Sequence, residues 1–269
     1  MQRAINVTMS IAPSLGLPAE QAAVIQNSNK LALRLSPCDV FARVAPVDHQ
    51  HARFEVPLAL RLAEAGCPVA ALDPRVEPRG YARDGFEVTL WTYYEPVAAA
   101  VAPVAYADAL HRLHVGMREI DVTTPHFTDR VAHAEHLVAE RSLTPNLDEG
   151  DRALLAENLR SLRLAILHRG TPEQLLHGEP HEGNLLNTHE GALFIDLETC
   201  CRGPIEFDLA HAPPSVAEHY PGVDRELLAE CRRLVLAMVA VWRWDRDDQF
   251  PNGTQIGRDL IRLIRSGSS

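Results

Sequence analysis

The dominant period of the hydrophobic pattern differs on the two sides of Glu95-Pro96. Before this point most apolar and polar residues alternate in short runs, which is typical of strands, with one helical stretch, whereas after it the apolar residues recur mainly at helical spacing. Strands and helices that occupy separate parts of a chain indicate an α+β fold. We therefore predict two lobes: a small, strand-rich N-lobe over residues 1–95 and a larger, mostly helical C-lobe over residues 96–269.

The pattern of the N-lobe predicts a β-hairpin. The alternating runs Lys30–Leu35 and Val40–Val44 are joined by the turn Ser36–Asp39, and two runs joined in this way pair as antiparallel strands. The run Ala19–Ile25 fits either a short helix or a strand, and the polar turn Asn27–Asn29 occupies the place of a phosphate-covering loop. Further along, the pattern predicts a helix over His49–Gly66 and strands over Val69–Asp73 and Phe86–Tyr94, with a polar loop over residues 74–85.

The pattern of the C-lobe predicts amphipathic helices with one interruption. Only the stretch His177–Asp196 carries strand-like runs. Near the chain's end, Trp242 and Trp244 would either cap the helical core or line a substrate pocket. The predicted helices are Tyr106–Leu113, Asp129–Arg141, Asp148–His168 and Arg225–Trp242, with a last short helix over Asp259–Ile264.

The interruption in the C-lobe holds the residues with the clearest chemistry. Within eighteen residues the chain presents a carboxylate, Glu179, then an amide, Asn184, and then a second carboxylate, Asp196, at the end of an apolar run. Phosphoryl transfer needs a carboxylate that positions a substrate hydroxyl and accepts its proton, together with oxygen ligands that hold Mg²⁺ against nucleotide phosphates. The order of these three side chains suits that reaction.

Histidines in the same stretch leave room for a zinc site. His177 and His181 are spaced as the first two ligands of a zinc hydrolase. That motif needs both histidines on one helical face, whereas Pro180 lies between them and glycines surround them. The pattern therefore argues against a zinc site here, and for His111 and His114, on a predicted helix, we expect a core or surface position rather than a metal ligand.

Charge and composition limit the partners. The net charge is −10, and the acid excess lies in the second part: residues 1–95 carry 9 basic and 10 acidic side chains, residues 96–269 carry 17 and 26. A nucleic acid prefers a basic face, so this distribution argues against it; it fits a solvated surface or a cationic small molecule. No membrane-spanning run or signal peptide is visible, so we expect a cytoplasmic protein without a membrane partner. The five cysteines show no CxxC spacing and predict neither disulfides nor a zinc site.

The motifs and the order of the lobes resemble one known family, the aminoglycoside phosphotransferase/choline kinase-like branch of the protein-kinase fold. Its signature is His-Gly-Asp-x-His-x-x-Asn followed by Ile-Asp-x-Glu/Asp, which stands here as His177–Asn184 and Ile195–Glu198. The segment Gly203–Ala210 also looks like the Gly-Pro-x-x-x-Asp-Leu-Ala segment of these enzymes. The resemblance covers residues 24–245. It implies a two-lobed protein-kinase-like fold and a Mg²⁺-dependent enzyme that moves the γ-phosphate of ATP or GTP to a small-molecule hydroxyl.

The same resemblance implies roles for the C-lobe residues. Glu179 takes the place of the catalytic base, where the family most often has aspartate. The metal ions that bridge the phosphates would be bound by Asn184 and Asp196, with Glu198 as an assistant. The catalytic loop would be braced by hydrogen bonds from His177, His181 and Asp208.

In the N-lobe the resemblance implies a basic residue on the third strand that touches the α- and β-phosphates and pairs with a helix glutamate. Lysine is usual there, but the only lysine of the chain, Lys30, precedes the first hairpin strand. Arg43 is the best occupant, with Glu55 as its partner, because a guanidinium keeps the charge and can pair bidentately. The nucleotide base would lie against the hinge residues Trp91, Thr92, Tyr93 and Tyr94, which offer backbone hydrogen bonds and apolar walls.

The departures from the family pattern keep a second function open. The extra methylene of Glu179 moves its carboxylate by roughly 1 Å, and a misplacement of that size can cost about a hundredfold in rate. A pseudokinase that binds nucleotide or ligand without turnover is therefore the alternative. Retention of Asn184 and Asp196 favours an active enzyme, with an aminoglycoside or another cationic small molecule as acceptor; a sugar, a choline-like amine or another metabolite stays open.

Overall fold

A computed structural model describes residues 1–27, 30–49 and 51–267 of the chain. The polar turn predicted at Asn27–Asn29 extends beyond the described residues, because Ser28 and Asn29 lie outside them. The elements, in chain order, are α1 (Gln2–Ser14), β1 (Ala19–Asn27), β2 (Leu31–Pro37), β3 (Val40–Pro46), α2 (His51–Glu64), β4 (Tyr81–Arg83), β5 (Phe86–Thr92), α3 (Pro103–Arg118), α4 (Phe127–Ala139), α5 (Glu149–His168), β6 (Gln174–Leu176), β7 (Leu185–Thr188), β8 (Gly191–Phe194), β9 (Cys201–Gly203), α6 (Ile205–His211), α7 (Val216–His219), α8 (Arg225–Trp242) and α9 (Gly253–Ser266).

These elements fall into two compact units. Unit 1 comprises Met1–Ala102, Val115–Val122 and Asn184–Glu198, and unit 2 comprises Pro103–His114, Thr123–Gly183 and Thr199–Ser269. The assignment of nucleotide binding to residues 1–95 and of catalysis and substrate binding to residues 96–269 stays a prediction.

Unit 1 is built on an antiparallel sheet of five strands in the order β1-β2-β3-β5-β4. Alternate side chains point to opposite faces of the sheet. On one face, Leu33 and Leu35 of β2 and Val40 and Ala42 of β3 are fully buried. Residues of α1 share this core. The predicted hairpin is confirmed, and the ambiguous run that begins at Ala19 is a strand.

The strand predicted over Val69–Asp73 is wrong. This segment forms only isolated bridges, from Val69 to Phe194 and from Leu72 to Trp91. Its hydrogen bonds are divided between two partners: the Ala70 N–H donates to Phe194 and the Asp73 N–H to Leu90. A short run that serves two neighbours forms a ladder with neither, and its apolar pattern reflects burial rather than pairing.

Unit 2 is mainly helical. Helices α4, α5 and α8, with parts of α6 and α9, enclose a core that includes Phe127, Leu155, Leu159 and Met238. All the long helices predicted from the sequence are present, although α9 begins at Gly253, earlier than expected, and α1, α6 and α7 were not predicted. Among the described residues, no helix is both long and apolar enough to cross a bilayer.

Candidate active site

Arg43 is held between two carboxylates in unit 1. Its position on β3, paired in register with Ala32 of β2 and Thr89 of β5, points its side chain away from the buried face. One terminal nitrogen donates to Glu55 of α2, and the other donates to Asp196 Oδ1 at 2.6 Å. Burial on its own lowers the pKa of the Arg43 guanidinium, but the Glu55 and Asp196 carboxylates raise it above its usual range. The expected pair between Arg43 and Glu55 is present.

Lys30 joins the same group, which the sequence analysis did not foresee. Its ammonium donates to Glu198 and lies 3.8 Å from Glu55 Oε2 and 3.7 Å from Asp196 Oδ1. Only 10% of the side chain is exposed, and burial, helped by Arg43, lowers its pKa against the opposing effect of the carboxylates. We call Lys30, Arg43, Glu55, Asp196 and Glu198 the charged cluster. The sequence feature that could have marked Lys30 as a site residue is that it is the only lysine of the chain.

The β7–β8 hairpin brings together the main-chain segments that carry the two predicted metal ligands. The Ile195 N–H donates to the Asn184 carbonyl at 3.0 Å, directly before Asp196. Asp196 has a φ of +66°, a conformation uncommon for residues other than glycine and enriched in aspartate, and such residues collect at functional sites. A short 3₁₀ turn over Leu197–Thr199 then places Glu198 in the charged cluster.

The hairpin offers few metal ligands, and a small number of protein ligands is what Mg²⁺ requires. Within the described residues, no group of three or more His, Cys, Asp or Glu side chains is arranged to hold a metal ion. Mg²⁺ nevertheless needs only one or two protein carboxylates, because waters and substrate phosphates complete its octahedron. An amide oxygen on Asn184 and a carboxylate on Asp196 therefore fit a Mg²⁺ ion that arrives with a nucleotide.

Unit 1 also contains a largely apolar cavity of about 220 Å³. Phe41, Ala70 and Phe194 are among its walls, and all four predicted hinge residues, Trp91 to Tyr94, line it. Arg43 and Asp196 of the charged cluster line it as well. The backbone N–H of Thr92 donates to the Ala71 carbonyl at 2.9 Å, and the backbone hydrogen bonds expected from the hinge residues to a nucleotide base stay a prediction.

In unit 2 a buried carboxylate holds the loop that carries Glu179. Asp208 of α6 has no exposed surface and accepts the backbone N–H groups of His177 at 2.9 Å and Gly178 at 2.8 Å. Its Oδ2 also accepts from His114 Nε2 at 2.9 Å, and His114 Nδ1 lies 2.7 Å from the Tyr220 hydroxyl. Burial on its own raises the pKa of Asp208, but His114 and these hydrogen bonds lower it below its usual range. The expected brace between Asp208 and the loop is present.

Gly178 is required by the path of this loop. Its φ is +89°, and a Cβ atom there would lie 2.0 Å from the Thr199 carbonyl oxygen. A larger residue would therefore combine a strained backbone with a clash against main chain.

The loop histidines bond to their own loop. His177 Nδ1 accepts the Glu179 N–H at 3.4 Å, and His181 Nδ1 accepts the Gly183 N–H at 3.0 Å. The buried hydroxyl of Tyr106 adds a hydrogen bond to the Pro180 carbonyl. These hydrogen bonds fold the loop on itself, and the bracing role of His177 and His181 stays a prediction.

Glu179 itself is paired with Arg130 of α4. The side chains are 17% exposed for Arg130 and 22% for Glu179. The guanidinium carbon of Arg130 also lies 5.3 Å from the centre of the Trp242 ring. Sequence reasoning missed Arg130 because 49 residues separate it from Glu179 and no local pattern marks it.

Comparisons with known proteins give a consistent result. The sequence pattern of the phosphotransferase enzyme family, APH, matches residues 26–246, and no curated protein matches the chain. The GDP complex of wild-type aminoglycoside 2'-phosphotransferase-IIIa superposes with a TM-score of 0.73 at 14% identity, covering 99% of each chain. Amicoumacin kinase in complex with AMP-PNP, Ca²⁺ and Ami gives 0.70 at 11% identity, covering 100% of this chain and 97% of that one. Choline kinase from Streptococcus pneumoniae gives 0.69 at 13% identity, covering 97% and 98%. At these identities the likeness shows the fold, and the predicted α+β, protein-kinase-like fold is confirmed.

Proposed function

Because the chain belongs to the phosphotransferase enzyme family, we propose that it transfers the γ-phosphate of ATP or GTP to a hydroxyl of a small molecule, with Mg²⁺ as the metal. One observation carries the proposal. The apolar cavity and the charged cluster share Arg43 and Asp196, so that walls suited to a nucleotide base adjoin groups suited to phosphates and a metal.

The residues of unit 1 take the nucleotide side of the reaction. Trp91, Tyr93 and Tyr94 wall the base, and the cations Lys30 and Arg43 attract phosphate oxygens. Glu55 orients Arg43 through their ion pair. Asn184 and Asp196 hold Mg²⁺, which when bound neutralises charge on the transferred phosphoryl group.

Glu179 in unit 2 takes the acceptor side. Its carboxylate accepts the proton of the acceptor hydroxyl while that oxygen forms a bond to the γ-phosphorus. The bond between the γ-phosphorus and the bridging oxygen breaks, and the nucleoside diphosphate leaves with the electron pair. Asp208 keeps the Glu179 loop in shape through the N–H groups of His177 and Gly178.

A cationic acceptor is the preferred class. The acid excess of residues 96–269 supports a hydroxylated amine. The similar structures include proteins named for an aminoglycoside, spectinomycin and choline, and these names motivate the choice of candidate acceptors. We propose the cytoplasm as the site of action, because nucleoside triphosphates are available there.

Phosphate transfer with purified protein tests the proposal. Mg²⁺ with ATP or GTP is offered together with an aminoglycoside, spectinomycin, choline or a fructosamine, and the phosphorylated product is measured. We expect turnover by the wild type, a loss of kcat of about 10²–10⁴-fold in Glu179→Gln, and no change in the control Glu157→Gln, whose carboxylate is on the surface. If the wild type binds nucleotide tightly but shows no turnover, the proposed enzyme activity is wrong and the pseudokinase hypothesis takes its place.

A further inference from the structure

We infer that Arg130 is a positioning residue for Glu179: its ion pair fixes the glutamate carboxylate and so allows glutamate to serve as the base in place of the shorter aspartate. The inference rests on the proposed function and deepens it. It answers the question raised by the extra methylene of Glu179, which adds a rotatable bond between the main chain and the reacting oxygen.

The pair is built to hold one orientation. An Nη2–H of Arg130 donates to Oε1 of Glu179, and most of both side chains is shielded from water. Charge-assisted hydrogen bonds are stronger than neutral ones, and a shielded pair is weakened less by solvent and salt than an exposed pair.

Arg130 is itself held in place. It lies on α4, whose first turn is capped by its neighbour Asp129 through the His126 N–H at 2.8 Å. The guanidinium lies over the indole of Trp242, the last residue of α8. Its Nε is shielded from solvent and has no hydrogen-bond partner in the part of the chain that is described. The orientation of the guanidinium therefore depends on the indole and on its terminal nitrogens, one of which serves Glu179.

The surroundings keep Arg130 as the fixed positive charge at this place. His211 of α6 has its Nε2 shielded and without a hydrogen-bond partner among the described atoms. Burial, together with Arg130, lowers the pKa of His211 to about 3, so its imidazole is neutral at physiological pH. The carboxylate of Asp129 is already engaged in its cap.

A double-substitution cycle separates positioning from a merely structural ion pair. The proteins are wild type, Arg130→Met, Glu179→Gln and the combination of both, assayed with Mg²⁺ and ATP or GTP against the best acceptor of the panel and against water. We expect Arg130→Met to lower kcat about tenfold to a hundredfold, the range for a misplaced reacting group, with the nucleotide KM unchanged. In the Glu179→Gln background the same substitution should have no further effect, since no base is left to position.

Two further variants complete the test. Arg130→Lys should restore part of kcat, because an ammonium keeps the charge without the planar fork. The control is Arg163→Met, which removes a half-buried pair with Glu135 in the same unit and should leave kcat unchanged. If Arg130→Met does not fold, as judged by circular dichroism, Arg130→Gln takes its place in the cycle.

An equal loss of kcat in both backgrounds, or a change confined to KM, overturns the positioning role and leaves the proposed function standing. Absence of transfer by the wild type to every acceptor, water included, overturns both.

Discussion

The charged cluster of unit 1 and the Glu179 loop of unit 2 are both organised by buried carboxylates, but the partners of those carboxylates differ. In the cluster, the buried Glu55 and the partly exposed Asp196 contact the side-chain cations Arg43 of β3 and Lys30, which directly precedes β2. Around the loop, Asp208 accepts the main-chain N–H groups of two consecutive residues. The charged side chains of the cluster can reorient and exchange partners when a phosphate or a metal ion binds. The main-chain N–H groups of the loop are fixed in the backbone and depend on the acceptor that they have.

This difference separates two kinds of function. The cluster is suited to binding, because a charged side chain in it can exchange one partner for a ligand group that carries the same charge as that partner. The loop is suited to holding a geometry, because losing the carboxylate leaves buried N–H groups unsatisfied. Substitutions in the loop should therefore act first on folding, and substitutions in the cluster first on nucleotide affinity.

The largest effect is expected from Asp208→Ala. This change removes the partner of two buried N–H groups and of His114, and breaking a buried charged contact costs about 3–5 kcal/mol. The free energy of unfolding, measured by urea denaturation, should fall by that amount. The matched control is Asp108→Ala, which breaks an exposed pair with Arg112 and should cost less than about 1 kcal/mol. Equal losses in the two variants would show that Asp208 does not hold the loop more strongly than an exposed ion pair holds the surface.

The sequence predicted the parts of this comparison that are local. Glu179, Asn184 and Asp196 lie within one short stretch, so their residue types and spacing were enough to place them on a loop and a following strand end. The periods of the hairpin and the next helix could be recognised, and the resemblance to the family then implied the pair of Arg43 and Glu55.

The sequence did not predict contacts that join distant segments. Arg130 lies 49 residues before Glu179, and Lys30 lies 168 residues before Glu198. Such pairs depend on how strands and helices pack, and an arginine on a helix looks the same whether it faces solvent or a carboxylate. The wrong strand at Val69–Asp73 has the same origin, since its bonds to β5 and β8 are set by tertiary structure.

An intermediate effect is expected from Lys30→Met in the cluster. Hydrogen bonds to charged groups contribute about 1.5–3 kcal/mol, so the affinity for ATP or GTP should fall by about 10–150-fold in calorimetry. The free energy of unfolding should change little, because Arg43 still neutralises Glu55 and Asp196. Adenosine and guanosine, which lack phosphates, serve as control ligands and should bind equally to both proteins. A similar loss of nucleoside affinity would show that Lys30 shapes the cavity rather than meets phosphates.

The smallest effect concerns His211, whose pKa is influenced by the charges of Arg130, Asp208, His177 and His181. Its pKa in the folded protein is lowered to about 3 from an ordinary value of 6.5, mainly by burial. Below pH 6.5 the unfolded chain therefore binds a proton that the folded protein does not, and stability falls as the pH decreases towards 3, by at most about 1.4 kcal/mol per pH unit. Between pH 7.5 and 5.5 the wild type should lose about 1.4 kcal/mol more than His211→Gln in urea denaturation. The remaining histidines are common to both proteins and cancel in this difference. If the surroundings of the Glu179 loop were as open to ions as the charged cluster, His211 would take up its proton without cost, and the two proteins would lose stability equally.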